Sequence, residues 1–217
     1  MCSKIALTRK PWRRYNISMQ PRETEVTGVI LVGGKSRRMG VDKAFLEIEG
    51  TPLFERVLRV FETTFDKTIL IGSHAERFSR YGLPLYPDIY PGSALGGLHT
   101  GLVRADTPYI FVSACDVPFP SMAVARYLAS LRDGFDAVVP KGPDGFEPLF
   151  AIYSAGCREP MRRFLEKGNV RIFDLYPDMN VRYVSTEELA RLDGGERTFV
   201  NLNTPGEYLR VTREGSI

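Results

Sequence analysis

Val29-Ile-Leu-Val-Gly-Gly-Lys-Ser-Arg-Arg-Met-Gly-Val-Asp-Lys43 decides how this chain folds. A short apolar run ends in two glycines, and a basic loop closed by Gly40 follows at once. An unbroken apolar run reads as a parallel strand buried on both faces. Glycines at its end let backbone amides come close to a ligand and face phosphate oxygens. Lys35, Arg37, Arg38 and Lys43 then place four cations within nine positions. A strand opening into a cationic glycine loop points to a bound polyphosphate. The alternative on these residues alone is a plain strand-to-helix turn whose basic side chains are solvated.

Two familiar phosphate loops do not fit. Gly34-Lys35-Ser36 imitates the end of G-x-x-x-x-G-K-[ST], but that pattern needs Gly where Val29 stands. No G-x-G-x-x-G occurs either, so a dinucleotide-type site is unsupported.

Working outward, apolar runs and amphipathic stretches alternate. Val26–Val32 reads as the first strand. Thr51 caps a helix with Pro52 at its first position, and Leu53, Phe54, Val57, Leu58 and Phe61 recur at helical spacing. Thr68–Ile71 and Leu83–Tyr86 read as strands, Ala94–Arg104 as a helix, and Tyr109–Ala114 as a central strand. Ser121–Arg132 is a helix and Ala137–Pro140 a strand. After a turn at Gly142–Gly145, Phe146–Tyr153 looks extended. A helix over Cys157–Lys167 stops at Gly168, and Asn169–Leu175 forms a short helix. Val181–Val184 and Thr198–Leu202 are late strands. Thr204-Pro205-Gly206-Glu207 is a capping box that opens the last helix. This rhythm predicts a single α/β, Rossmann-like three-layer domain over residues 26–212, a mostly parallel sheet with helices on both faces. Ligands in such sheets sit beyond the carboxyl ends of the strands. Gly33–Lys43, Cys115-Asp116 and Asn201–Asn203 all fall at such ends.

The chain has 217 residues, is 43% hydrophobic and carries a formal charge of +3. The charge is concentrated in residues 1–25, a basic N-terminal extension expected to be poorly ordered. The rest is close to neutral, which argues against a broad nucleic-acid footprint. No stretch has the apolar core of a secretory signal or the length to cross a membrane. Cys2, Cys115 and Cys157 form no C-x-x-C pair, which suits a reducing cytoplasm. His74 and His99 cannot build a zinc site alone, and each is expected to be satisfied or exposed rather than a ligand.

Asp116 ends a strand and precedes Val117-Pro118, a place suited to holding Mg²⁺ with phosphate oxygens and waters. A turn or cap role is its alternative. Asp88 reads equally as a turn residue. Gly96 and Gly97 would let the start of a helix lie against a ligand. The inventory holds cations and one metal-ready carboxylate but no evident general base. That suits nucleotidyl transfer to a phosphate monoester, which is ionised near neutral pH and needs no base.

The segment Leu31-Val32-Gly33-Gly34-Lys35-Ser36-Arg37-Arg38-Met39-Gly40-Val41-Asp42-Lys43 resembles the L-A-G-G-x-S-x-R-M-G-x-D-K signature of molybdenum cofactor guanylyltransferases. Val32 replaces the usual Ala, and the paired glycines resemble guanine-using members. The resemblance runs to about Leu209. Cys115-Asp116-Val117-Pro118-Phe119 resembles the family's C-D-x-P-[FY], whose aspartate binds Mg²⁺. Pro91–Leu98 resembles G-P-L-A-G, with Ser93-Ala94 departing from it, and implies a nucleotide role for Asp88. Gly72 stands where the family often shows Asn, which leaves a backbone contact there. Asn201-Leu202-Asn203-Thr204-Pro205 resembles N-x-N-T-P. Asp144–Pro148 resembles a shortened D-G-x-x-x-P, and Gly168–Arg171 the part that helps hold the pterin.

The resemblance implies a nucleotide-diphospho-sugar transferase-like fold and a cytoplasmic enzyme joining GMP from GTP to molybdenum-molybdopterin. It implies Leu31, Val32, Gly33, Gly34, Lys43, Gly72, Asp88 and Asp116 at the nucleotide. Lys43, Arg38 and Asp116 carry the catalysis, with Asp116 on Mg²⁺, and Pro148, Arg171, Asn201 and Asn203 face the acceptor. Molybdoenzymes or other cofactor-biosynthesis proteins are implied partners; nucleic acid and membrane are not. A transferase using CTP or a sugar phosphate, or a non-catalytic nucleotide-binding module, remains the alternative.

Overall fold

The computed structural model describes residues 21–33, 43–72, 75–142, 145–200 and 206–208. β1 (Glu23–Leu31) is central and pairs in parallel with β4 (Phe65–Ile71) on one side and β6 (Tyr109–Ala114) on the other. β5 (Leu85–Tyr86) extends the sheet beyond β4. Beyond β6 lies β9 (Phe150–Ser154), antiparallel to both its neighbours, β6 and β7 (Ala137–Gly142). β10 (Val181–Ser185) closes that edge parallel to β7, and β8 (Gly145–Phe146) folds back on β7. The order is β10-β7-β9-β6-β1-β4-β5. The mixed sheet is therefore mostly parallel, as expected, and the fold class is the expected three-layer α/β.

Alternate residues of each strand supply two cores. Val26, Ile30, Phe111, Val138 and Ile152 pack on one face against α1 (Leu53–Thr64) and α3 (Met122–Ser130). Val29, Ile71, Val112 and Tyr153 pack on the other face against α2 (Ala94–Arg104) and α4 (Arg158–Glu166). Gly28 belongs to the first set, and a methyl group there would lie 2.6 Å from Phe61 and 2.9 Å from Phe65. Glycine is what lets α1 lie this close to the sheet.

Several expectations need correction. β1 starts three residues before Val26, where Arg132 pairs with Glu23 and Glu25. Thr51 does not cap α1. Glu49 and Gly50 both take positive φ, the signature of a two-residue hairpin turn, and Thr51-Pro52 form β3 against β2 (Glu47–Ile48). Backbone pairing with Ile48 claims Thr51, and the helix begins at Leu53 with Pro52 at its N-cap. Phe146–Tyr153 is not one strand: Glu147–Leu149 turns between β8 and β9. The stretch after Asn169 is a 3₁₀ helix at Ile172–Asp178, and Thr198–Val200 is a turn rather than a strand. A four-residue helix, α5 (Thr186–Leu189), follows β10. His99 is neither exposed nor satisfied: it is buried against the Tyr90 ring, and Nδ1 has no hydrogen-bond partner among the described residues. Burial, with Arg158 and Arg162 adding to it, holds its pKa below the usual value. Residues 1–20, His74, Thr204 and Pro205 lie outside the described residues.

Candidate active site

The carboxyl ends of β6, β1, β4 and β5 lie side by side, and neighbouring strands are spaced about 4.8 Å apart. Val32 continues the ladder past β1, its N–H donating to Ile71 O at 2.8 Å. On the other side the Cys115 N–H donates to Leu31 O at 3.2 Å. Asp116 is thereby placed next to the exit of the glycine loop. Gly33 follows, the last described residue before Lys43.

Gly72 closes against this exit. Its φ is +153°, its N–H donates to Tyr86 O at 3.0 Å, and a methyl group there would meet Val32 O at 2.3 Å. The expected asparagine position is thus a place where two backbones touch. On the next layer, Ser93 caps α2 by accepting from the Gly96 N–H at 3.1 Å. A methyl group on Gly97 would lie 3.2 Å from Leu31 and 3.4 Å from Asp88 Oδ1. Leu31, Gly97 and Asp88 therefore converge on one spot. Asp88 is half-buried, and loss of water raises its pKa. Val32-Gly33, Gly72, Asp88 and the first turn of α2 are thus brought together at the carboxyl edge of the sheet.

On the β9 side of Asp116 lies a cavity of about 240 Å³. Asp116, Glu147, Pro148, Phe150, Phe199 and Val200 are among its lining residues. Asp116 thus lines the cavity and lies one residue beyond the Cys115 bond to the end of β1. Pro148 joins it in the cavity, and Val200 brings the chain to the doorstep of Asn201.

The remaining predicted residues are less gathered. Lys43 opens a 3₁₀ turn, Lys43–Phe45, packed near α1, and does not line the cavity. Arg171 is exposed at the head of the Ile172–Asp178 turn and does not line it either. Gly34, Arg38, Asn201 and Asn203 lie outside the described residues. Among the described residues no cluster of three or more His, Cys, Asp or Glu could hold a metal. A single carboxylate with nucleotide oxygens is still a suitable donor set for Mg²⁺ or Mn²⁺, which take one or two carboxylates with phosphate and water.

Sequence reasoning missed the struts of the site. Ser121 Oγ accepts from the Val124 N–H at 3.2 Å, capping α3, and donates to Asp193 O at 2.5 Å. One hydroxyl thus ties the segment leading to Phe199 and Val200 onto the helix behind Asp116. Phe119, three residues past Asp116, lies under Arg197, whose Cζ is 3.7 Å from the ring centre. Arg56 Cζ lies 5.5 Å from the same ring. The serine's cap was readable from its position; its second bond, spanning 72 residues, left no local signal.

The model of the MobA-like NTP transferase domain matches residues 28–180, most of the chain. The chain belongs to this family. A protein of Pelotomaculum thermopropionicum named as a probable molybdenum cofactor guanylyltransferase is 39% identical over 195 residues, covering 88% of this chain and 95% of the relative. A crystal structure of molybdopterin-guanine dinucleotide biosynthesis protein A from Archaeoglobus fulgidus superposes with a TM-score of 0.77 at 29% identity, covering 88% of this chain and 98% of the other. The Mycobacterium tuberculosis protein Rv0371c, solved with manganese, shares the fold at a TM-score of 0.63 and 20% identity, covering 88% and 98%. As a member of the MobA-like family the chain is a nucleotidyltransferase. The expected family is borne out. Among the described residues, no helix is long and apolar enough to cross a membrane.

Proposed function

We propose that this nucleotidyltransferase moves GMP from GTP to the terminal phosphate of molybdenum-loaded molybdopterin, forming molybdopterin guanine dinucleotide and pyrophosphate. The observation that supports the reading is the position of Asp116, which lines a cavity and follows Cys115, whose N–H is bonded to the end of β1 beside Val32, Gly33 and Gly72. A displacement at phosphorus needs donor and acceptor on opposite sides of the atom attacked. An acceptor phosphate oxygen bonds to the α-phosphorus as the bond from that phosphorus to the β-bridging oxygen breaks. The acceptor phosphate is already ionised near neutral pH, so no side chain has to take a proton.

In this reading Gly33, Gly34 and Gly72 offer backbone to the nucleotide, and Asp88 fixes its nucleoside half. Lys43 and Arg38 offset charge on the triphosphate and the departing pyrophosphate. Asp116 would hold Mg²⁺, which when bound neutralises charge on the phosphates. Pro148, Asn201 and Asn203 contact the acceptor, with Arg171 as an outlying anion contact. The paired glycines Gly33-Gly34 resemble those of guanine-using members of the family, which supports GTP over CTP. Unbridged Cys115 and Cys157 support a reducing cytoplasmic setting, where molybdoenzymes or other cofactor-biosynthesis proteins would take the product.

The test is product analysis after mixing the protein with Mg²⁺, the molybdenum-loaded pterin and either GTP or CTP. GMP transfer with pyrophosphate release is expected only from GTP, and Asp116→Ala should abolish it while keeping part of the GTP-dependent thermal protection. Transfer from CTP, or release unaffected by Asp116→Ala, overturns the assignment.

A further inference from the structure

Between β5 and α2 the chain passes through Asp88, Ile89 and Tyr90 before Ser93 caps the helix. Thr100, midway along α2, is fully buried. Its hydroxyl donates to Gly96 O at 2.8 Å and accepts from the Ile89 N–H at 2.9 Å. We propose that Thr100 is a positioning residue for the nucleotide: through Ile89 it sets where Asp88 stands against the first turn of α2. This rests on the nucleotide role given to Asp88 above and adds the group that holds that carboxylate in place.

The two bonds divide the hydroxyl's capacity. It has one proton and two lone pairs. A helical threonine commonly gives its proton to the carbonyl four residues back, here Gly96. The oxygen is then left as an acceptor, and the Ile89 N–H is the donor that reaches it. The neighbouring residues reinforce the joint. A methyl group on Gly96 would lie 1.8 Å from Tyr90 O, so loop and helix backbones touch there. The Tyr90 ring meets buried His99 edge-on at 5.3 Å, and its hydroxyl donates to Glu166 Oε1 on α4 at 3.4 Å. Asp88 Oδ1 faces Gly97, on the same turn that Thr100 braces.

A brace is needed because Asp88 gains by moving outward. It is half-buried, and the loss of water raises its pKa. Its ionised form is better solvated nearer the surface. One residue along, the bond from Ile89 to Thr100 ties the backbone down against that movement. A carboxylate displaced by about 1 Å would meet a nucleotide hydroxyl or N–H at a length where a hydrogen bond has weakened badly. A binding group held by a buried bond within the scaffold is placed by the fold and not by its ligand.

The test is a double-mutant cycle on the Kd for GTP, measured by calorimetry. Thr100→Val keeps the shape and removes the hydroxyl, and it should weaken GTP binding about tenfold. Thr100→Ser keeps the hydroxyl and should stay within about threefold of the parent protein. In an Asp88→Ala background the same Thr100→Val change should weaken binding less than about twofold, because the group it positions is gone. A merely structural threonine would instead show the same loss in both backgrounds. Thr100→Ala removes the same hydroxyl without crowding its neighbours and replaces the valine variant if that one does not fold. A parental Kd in the variant lacking the hydroxyl, a serine variant as weak as valine, or an equal loss with and without Asp88 overturns the proposal. Failure of the guanylyltransferase reading would appear differently, as absent GMP transfer by the parent protein whatever the variants do to GTP binding.

Discussion

Gly72→Ala tests how the end of β4 is held against the exit from β1. The backbone at Gly72 has φ of +153°, a conformation in which a side chain costs about 1–3 kcal/mol. The new methyl would also sit 2.3 Å from Val32 O, an approach that neither backbone can absorb in place. To relieve it, Val32-Gly33 must part from β4 or residue 72 must part from β5. Either movement puts at risk a hydrogen bond worth about 1 kcal/mol, Val32 N–H to Ile71 O or Gly72 N–H to Tyr86 O. The expected loss is therefore about 2–4 kcal/mol, read as a lower urea midpoint with an unchanged slope. The same displacement moves the Gly33 amide, so GTP-dependent thermal protection should fall by more than global stability does. A loss under about 0.5 kcal/mol, the range of a neutral surface change, with GTP protection intact would refute the reasoning.

Three further outcomes follow from other contacts. Ser121→Ala removes both the α3 cap and the bond to Asp193 O and should cost about 1–2 kcal/mol in urea unfolding. Because that bond anchors the segment leading to Phe199 and Val200, KM for the acceptor should rise more than KM for GTP; equal effects on both would speak against an anchoring role. Asp88 has a raised pKa through lost hydration, so its ionised form opposes folding: the stability its neutral form provides is present below the ordinary value of 3.8 and is lost as pH rises through the folded pKa. Asp88→Asn without nucleotide should be at least as stable as the parent at pH 7, an advantage that disappears as pH falls into the ordinary aspartate range, while GTP protection weakens. Reversal of that trend in urea midpoints would exclude a desolvated carboxylate. Burial pushes the Cys157 thiol up to about 11, so at pH 7 it should resist alkylation until the protein unfolds, as mass spectrometry of labelled peptides would reveal.

Much of the architecture was legible along the chain because burial imposes local periodicities. The apolar run at Val29–Val32 and the stripe Leu53, Phe54, Val57, Leu58 and Phe61 each report their own environment. The errors fell where two signals competed for one residue. Thr51 has the chemistry of a cap, but the positive φ at Glu49 and Gly50 turns the preceding chain back, and pairing with Ile48 takes the threonine into a hairpin. At Thr198–Val200 a β-branched, aromatic composition suggested a strand, yet the Thr198 hydroxyl donates to Gly194 O and the Val200 N–H to Arg197 O, local bonds that hold the segment as a turn.

By itself, the sequence determined the alternation of strands and helices, the glycine-rich exit from β1, an aspartate at the end of β6 and the family resemblance. Those properties are set by residues close together along the chain. Only the tertiary structure decided that β9 runs antiparallel between β6 and β7, and so brings Glu147 and Pro148 beside Asp116 while Asp88 and Gly72 lie on the opposite side. Strand order comes from which faces can be covered together. A buried apolar strand carries no mark of its neighbour, and the two sides of the site became distinct only when the sheet closed between its helix layers.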